Sequence, residues 1–356
     1  MSGMQGFRDK SRRRFVGLFL MLLCVIALDA QDTFVQRDLL ERYIWEADIS
    51  EFSATAYDAS VEAIVQSFER ERGEPITPGE TGIVALKVQT AQGGGLATPL
   101  NLVSAVADAL VKRGFVREDI RIVDLNTSQL REAQFLPSLS QLETAFEGMS
   151  VQPLDSEAYY DPVWFYDNPL PPPRPRSFGS VTFEDERGER NITEEERRSY
   201  LPTNLFLDVD FWINLPVVSD HRILLLHGAL TNASVYAVSN TRRFLNSSTT
   251  GPVAVAEIAS IPELREKWLF TLLSLERYQY IGGPQFNSLY TRSEPLLWLS
   301  TNAVALDALM LERLNDARQQ QGFDILRSSH PLLEYAQAVG LGFYDIEQLE
   351  WKFVSN

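Results

Sequence analysis

Short apolar runs alternate with longer periodic stretches over most of the chain. The runs at 82–88, 120–124, 211–217 and 296–300 are continuous, as expected for strands buried on both faces. Between the first two, Thr98 precedes a proline and an apolar stripe of helical spacing, which predicts a helix with Thr98 at its N-cap. Strand, helix and strand in this order form a βαβ unit. We therefore predict an α/β fold, with a mostly parallel sheet and helices on both faces.

The same periodicity predicts further helices along the chain. They cover 35–73, 223–238, 261–280, 304–318 and a last stretch that begins at Pro331. The first of these helices leads us to divide the chain into an N-terminal helical segment, 31–79, and an α/β domain, 80–356.

Residues 150–203 interrupt the alternation of strands and helices. The run 169–175 contains five prolines, and charged residues dominate 184–198. Neither composition favours a helix interior or a central strand. We expect a solvated surface insertion, and the alternative is a lid or docking arm over the site.

The first thirty residues have the composition of an export signal. Basic residues between Arg8 and Arg14 precede an apolar run at 15–28, and Ala30 offers a small residue at a cleavage point. The apolar run is short for a membrane span. We therefore expect residues 1–30 to be a signal peptide and the mature protein to lie in the periplasm or cell envelope. General secretory and twin-arginine export both stay open, and only an uncleaved signal would attach the chain to a membrane.

Charge and cysteine content narrow the range of partners. The chain has 32 basic and 48 acidic residues, a formal net charge of −16, and such a charge repels nucleic acid and anionic lipid. The only cysteine, Cys24, lies in the predicted signal, so an iron–sulfur cluster is not expected in the mature chain. The three histidines lack the spacing of a zinc site, and we predict no metal. No other cofactor is indicated.

Candidate binding residues lie at the ends of predicted strands, where open α/β sheets bind ligands. Lys87 precedes the glycine loop 93–95 and a helix start, so its ammonium group, the loop N–H groups and the helix N-terminus could hold an anion. Alternatively, the apolar part of the Lys87 side chain lies along a sheet edge and its ammonium group reaches solvent. The run 211–217 contains Asn214 and leads to a polar turn with His221, which could act as a general base or form only a structural hydrogen bond.

Polar residues in later segments complete the predicted site. Asn232 and Asp307 interrupt apolar helical stretches, whereas His227, in the first of these stretches, is expected to be a packing residue. Arg292, in a loop, could bind a carboxylate or phosphate through two hydrogen bonds, or pair with the acidic surface. The predicted ligand-binding side chains are Lys87, Asn214, Ser219, Asp220, Asn232, Arg292 and Asp307, and the candidate catalytic residue is His221.

A series of motifs resembles the domain of unknown function 362 family. The matching segments are Ile213-Asn-Leu-Pro216, His221, Gly228-Ala-Leu-Thr-Asn232, Gly282-Gly-Pro284, Asn302-Ala-Val-Ala-Leu-Asp307 and Ala338-Val-Gly-Leu-Gly342, and Lys87 with Thr98-Pro99 also fits. The likeness spans most of residues 80–345. This chain has Val217, Ser219 and Thr231 where the family pattern has lysines, and Asn302 where it has an acid. The resemblance implies the fold and the pocket, and it implies no particular reaction.

Together these features predict an exported α/β protein that binds a small anionic ligand in a cleft at strand ends. If the protein is an enzyme, this ligand is its substrate. The alternative is a non-catalytic envelope scaffold whose insertion contacts a protein partner. The first hypothesis requires Lys87, His221 and Asp307 to meet at one site.

Overall fold

The computed structural model describes residues 39–137, 144–168, 197–327 and 330–355. The strands are β1 (Tyr43–Asp48), β2 (Val84–Lys87), β3 (Ile120–Asp124), β4 (Ala145–Phe146), β5 (Met149–Pro153), β6 (Tyr160–Asp167), β7 (Arg198–Pro202), β8 (Phe211–Asn214), β9 (Ser219–His221), β10 (Leu225–His227), β11 (Trp268–Ser274), β12 (Tyr278–Gln279), β13 (Thr291–Arg292), β14 (Leu296–Ser300) and β15 (Glu350–Val354). The helices are α1 (Ala54–Arg72), α2 (Leu100–Lys112), α3 (Thr127–Glu132), α4 (Ala229–Ala233), α5 (Thr250–Ala259), α6 (Pro262–Lys267), α7 (Ala303–Gln320) and α8 (Pro331–Ala338).

The main sheet confirms the predicted α/β class. Its nine strands lie in the order β15-β1-β14-β11-β8-β2-β3-β5-β4. The five strands from β11 to β5 are parallel to one another, and β1 is parallel to β15. Strand β14 is antiparallel to both of its neighbours, and the edge strand β4 is antiparallel to β5. The sheet is therefore mostly parallel, as predicted.

The order of the parallel strands creates a switch point between β2 and β8. The chain adds β3 and β5 on one side of β2, and then returns to add β8 and β11 on the other side. Counted along the chain, these strands have the order 3-2-1-4-5 of doubly wound folds. Connections leave the carboxyl ends of β2 and β8 in opposite directions, and ligands of such folds bind in the crevice that results.

Helices cover both faces of the sheet because its central strands are apolar on both sides. In β2, Val84 and Leu86 pack in the core that contains α1 and α2. Ala85, between them, packs in the core that contains α4, α5 and α8. The alternation of side chains along a strand therefore assigns Lys87 to the same face as Ala85.

Four short strands form a second sheet beyond the end of β8. Their order is β10-β9-β12-β13. Strand β9 consists of Ser219, Asp220 and His221, and it pairs with β10 and β12. The expectation of a polar turn at these residues was wrong, because the neighbouring strands supply hydrogen-bond partners that the local sequence does not reveal.

Three predicted helices require correction. Within 35–73, residues 43–48 form β1 and the helix starts only after Ser53, whose side chain accepts the Ala56 N–H. Residues 223–238 contain β10 and the short α4, and residues 261–280 contain α6, β11 and β12. In each case an apolar stretch compatible with a helix is extended instead, because neighbouring strands pair with it. Helix α2 begins at Leu100, with Pro99 and not Thr98 at the N-cap.

Several sequence predictions fall outside the described residues. These are the signal peptide at 1–30, the proline run at 169–175 and most of the charged stretch at 184–198. The flanks of the insertion form the antiparallel pair β6 and β7. None of the described helices is long and apolar enough to span a bilayer.

Candidate functional site

A row of polar residues crosses the sheet at the carboxyl ends of β2 and β8 and continues into the middle of β11. Lys87 of β2 is paired in register with Asn214 of β8, and Asn214 is paired with Thr271 of β11. Residues in register on neighbouring strands share a face of the sheet. All three are buried, and Lys87 and Asn214 have no exposed surface. The carboxyl ends of β2 and β8, on either side of the switch point, therefore present polar groups to the same place.

Asn232 of α4 joins these strand ends by hydrogen bonds. Lys87 Nζ donates to Asn232 Oδ1 over 2.9 Å, and Asn232 Nδ2 donates to Asn214 Oδ1 over 2.8 Å. Asn214 Nδ2 donates in turn to the carbonyl oxygen of Ala229, 2.9 Å away. Asn232 thus links the side chains of Lys87 and Asn214, which the sequence predicted on separate elements, and these bonds hold α4 over the strand ends.

A buried ion pair completes the polar floor. Lys87 Nζ lies 2.7 Å from Asp124 Oδ1, at the end of the adjacent strand β3. Asp124 Oδ2 accepts the N–H and the hydroxyl of Thr90, both over 2.7 Å. Burial lowers the pKa of Lys87, and the carboxylate of Asp124 opposes that shift. Lys87 has no exposed surface, so the alternative of a surface ammonium was wrong.

Asp307 of α7 binds the N-terminus of α4. Its Oδ1 accepts the Ala229 N–H over 2.6 Å, and its Oδ2 accepts the Leu230 N–H over 3.0 Å. Burial raises the pKa of Asp307 to about 7, although these two hydrogen bonds act in the opposite direction. Ala229 also accepts a hydrogen bond from Asn214. We call Lys87, Asp124, Asn214, Asn232 and Asp307 the strand-end network.

Sequence reasoning missed Asp124 and several residues beside it. Asp124 ends a run that was predicted as a strand, so its place at a carboxyl end was a usable signal. The glutamines Gln89 and Gln92 carried no such signal. Gln92 Nε2 contacts Ser219 Oγ at 3.3 Å and also His227 Nδ1, which places Ser219 next to His227. The imidazole of His227 stacks on Tyr236, with ring centroids 4.0 Å apart.

His221 is engaged in a local turn. Its Nδ1 accepts the N–H groups of Ile223 and Leu224, over 3.1 and 3.0 Å. Burial, together with the charge of Arg222, lowers the pKa of His221 to about 4. The ring is therefore neutral at pH 7, and its remaining nitrogen carries the proton. No hydrogen bond among the described residues joins His221 to Lys87 or Asp307, so the requirement that all three meet is fulfilled only for Lys87 and Asp307, which the strand-end network connects. A role for His221 as a general base stays a prediction, and its contacts are those of the structural alternative.

Asp220 and Arg292 have partners outside the strand-end network. The Asp220 carboxylate accepts the N–H groups of Gly282 and Gly283, over 3.1 and 2.7 Å. The guanidinium of Arg292 lies over the ring of Tyr280, 5.3 Å from its centroid. These contacts stabilise the second sheet and its loop. Among the described residues, no hydrogen bond connects Asp220 or Arg292 to Lys87.

The glycine loop packs against other parts of the protein. Gly93 donates its N–H to the carbonyl oxygen of Thr90, and a Cβ at Gly94 would collide with the backbone of Glu132. A Cβ at Gly95 would collide with the ring of Phe286. The loop therefore needs glycine for close packing, and Lys87 is directed toward Asp124 and Asn232. In the described part of the chain, no group of three or more histidine, cysteine or acidic side chains could hold a metal ion.

Comparisons with known proteins do not assign this chain to a family. No family model matches it, and no curated protein matches it. A crystal structure of a Thermotoga maritima protein, from a structural genomics consortium, is similar with a TM-score of 0.35 and 10% sequence identity. The similarity covers 69% of this chain and 54% of that protein, so the chain matches about half the length of that protein.

Proposed function

We propose that this protein binds a small oxyanionic ligand at the carboxyl ends of β2 and β8, with the strand-end network as its binding site. One observation carries the proposal. Lys87 and Asn214 end the two strands that flank the switch point, and both bind the same side chain, Asn232. Doubly wound folds bind ligands at this position.

The cost of the buried ion pair also supports a functional role. Removing a lysine and a carboxylate from water costs several kcal/mol per ion, and apolar replacement of such a pair is often neutral or stabilising. Stability alone therefore gives little reason for Lys87 and Asp124 to occupy the centre of the fold. In a binding site, Asp124 would have a role, because its carboxylate opposes the lowering of the Lys87 pKa by burial and so favours the charged form of Lys87.

The bound state requires one exchange of partners. Lys87 Nζ directs its three donors to the carbonyl oxygen of Val88, to Asp124 and to Asn232. An oxyanion bound to Lys87 would replace one of these acceptors. Asn232 is the replaceable one because it is a neutral side chain on a helix of only five residues. Asn232 Nδ2 already donates to Asn214 Oδ1 and to the Lys87 carbonyl oxygen, so Asn232 would stay in place while Lys87 holds the charge of the ligand.

A thermal-shift titration tests this proposal. The probes are inorganic phosphate and succinate, and a probe at about 100 times its Kd should add about 2.7 kcal/mol of stability. The double variant K87M/D124N leaves no unpaired charge in the core, and it should lose the shift. The matched control is K352M, because Lys352 pairs with Glu71 at the surface, and its shift should equal that of the wild type. If no probe stabilises the wild-type protein, binding is refuted and the scaffold hypothesis gains.

We also propose that the protein is exported and that residues 1–30 are removed. The support is the basic stretch at 8–14 followed by the apolar run at 15–28. The intact mass of protein recovered from a periplasmic extract should correspond to a chain that starts near residue 31. Recovery of the full-length chain from the cytosolic fraction alone would contradict this proposal.

A further inference from the structure

His227 carries a buried nitrogen that is without a partner among the residues that the structure describes. The residue ends β10, has no exposed surface, and stacks on Tyr236. Its Nδ1 contacts Gln92 Nε2, whereas no described atom forms a hydrogen bond with its Nε2. Gly228 and α4, the helix that carries Asn232 into the strand-end network, follow His227 directly in the chain, so His227 adjoins that network.

A chain of hydrogen bonds fixes which nitrogen of His227 carries the proton. The Val217 N–H donates to Gln89 Oε1 over 3.2 Å, and Gln89 Nε2 donates to the Val217 carbonyl oxygen over 2.8 Å. These two bonds orient the amide of Gln89, and its Nε2 also donates to Gln92 Oε1 over 2.9 Å. The amide of Gln92 therefore presents its NH₂ group to His227. Since Nδ1 must accept that hydrogen bond, a neutral imidazole carries its proton on Nε2.

The environment of His227 keeps the ring neutral. Burial is the main cause that lowers the pKa of His227 well below its usual range, and the charge of Lys87 acts in the same direction. His227 Nε2–H is thus a neutral donor in the interior of the protein. A buried donor without an acceptor is destabilising, and a ligand oxygen at this position would supply the missing acceptor.

We infer that His227 is a ligand-binding residue whose Nε2–H donates a hydrogen bond to an oxygen of the bound carboxylate or phosphate. The inference rests on the proposed function and specifies its chemistry, because Lys87 supplies charge without direction and His227 supplies a directional bond. Gln89 and Gln92 act as positioning residues that set the tautomer of His227.

Two amide variants separate the nitrogens of the ring. In H227N, the side-chain oxygen can replace Nδ1 as the acceptor for Gln92, and the donor at Nε2 is lost. In H227Q, the longer side chain can place an N–H donor near Nε2, and the acceptor at Nδ1 is lost. We expect H227N to raise the Kd for phosphate or succinate at least about tenfold, as for the loss of a hydrogen bond to a charged group. H227Q should bind better than H227N.

A purely structural role for His227 predicts a different result. The unfolding temperature without probe would then fall in both variants, and the Kd of the variants that remain folded would equal that of the wild type. That result would overturn the inference while the proposed function stands, provided that K87M/D124N still loses binding. Absence of binding to the wild-type chain would overturn both. The probe with the lower Kd identifies whether a phosphate or a carboxylate is preferred.

Histidine ¹⁵N NMR tests the inference independently of affinity. In the free protein, the spectrum of His227 should show a protonated Nε2 and an unprotonated Nδ1. Addition of a probe that binds should move the resonance of the His227 Nε2 proton downfield. The signals of His330, the N-cap of α8, should stay unchanged. A proton on Nδ1 of His227, or an Nε2 signal that does not respond to a probe that binds, would overturn the inference.

Discussion

The carboxylate of Asp307 occupies the space that a Cβ at Gly228 would need. A methyl group at residue 228 would collide with Asp307 Oδ1. Without it, Asp307 approaches closely enough to accept the N–H groups of Ala229 and Leu230. Helix α7 is thereby attached to the start of α4, which carries Asn232 into the strand-end network. The glycine and the acid are therefore required together.

Gly228→Ala should destabilise the protein by about 1–3 kcal/mol, the usual cost of adding a methyl group to a packed interior. Urea unfolding measures this cost, and it also measures Asp307→Ala, which creates space but leaves two backbone donors unpaired. In the double variant the added methyl group meets no carboxylate. The losses of unfolding free energy in the two single variants should therefore sum to more than the loss in the double variant. A double-variant loss equal to that sum would contradict the close packing of Gly228 and Asp307.

The stability difference between wild type and Asp307→Asn should depend on pH. The folded-state pKa of Asp307 is raised to about 7, and that of an unfolded aspartate is about 3.9. Between these values the folded protein binds more protons at this residue than the unfolded chain does. The contribution of Asp307 to the free energy of unfolding therefore falls as pH rises through this window, by up to about 1.4 kcal/mol per pH unit. Urea midpoints at several pH values should show the stability advantage of the wild type over the variant decreasing from pH 4 to pH 7.

Asp210 provides a control, because its contribution to stability should change with pH in the direction opposite to that of Asp307. Its carboxylate accepts the N–H groups of Gly79, Thr81 and Gly82, and these bonds lower its pKa despite partial burial. The stability that Asp210 contributes is present above the unfolded-state pKa and is lost as pH falls through the folded-state pKa. The advantage of wild type over Asp210→Asn should therefore decrease toward low pH. Equal pH dependence in both variants would refute the assignment for Asp307.

Much of the site was predictable because a polar residue in an apolar run is conspicuous. Lys87, Asn214, Asn232 and Asp307 were identified in this way, and hydrogen bonds connect all four, with Ala229 as the link to Asp307. Their partners were not predictable. Asp124 pairs with Lys87 only because β3 lies beside β2, and strand order is a property of the whole fold.

The family-like motifs illustrate the same limit. The polar residue of one motif contacts the glycine of another, and the order of the motifs along the chain does not reveal these contacts. Asp307 lies where a Cβ at Gly228 would need space, and Asn302 lies where a Cβ at Gly342 would need space. The helix predictions at 223–238 and 261–280 failed for a related reason. Apolar spacing there suits a helix as well as a strand, and the choice is made by pairing with β9 and with β8 and β14.

The Lys87–Asp124 pair should show strong non-additivity. Lys87→Met or Asp124→Asn alone leaves one buried charge without its partner, and each should cost about 3–5 kcal/mol. The double variant removes both charges, and its loss should be well below the sum of the two single losses. Urea unfolding at pH 7 measures all three. Lys352→Met, which breaks the exposed pair with Glu71, should cost less than about 1 kcal/mol. A double variant as unstable as the sum would show that the two residues do not act as a pair.

Thr98 joins the ends of β2 and β8, and it does not cap α2. Its hydroxyl donates to the Leu215 carbonyl oxygen over 2.6 Å and accepts the Gln89 N–H over 2.8 Å. Thr98→Val should therefore cost about 1–3 kcal/mol, since it leaves the buried Gln89 donor unpaired. Thr98→Ser should retain most of the stability.

Thr98→Asp distinguishes this role from helix capping. Aspartate is a strong N-cap residue, so a capping position would tolerate it well. At the strand ends, its carboxylate would instead face the Leu215 carbonyl oxygen, and neither group can donate a hydrogen bond. We expect Thr98→Asp to be less stable than Thr98→Ser in thermal unfolding at pH 7. Wild-type stability in Thr98→Asp would show that residue 98 caps the helix, and that β2 and β8 are held together at the switch point without its hydroxyl.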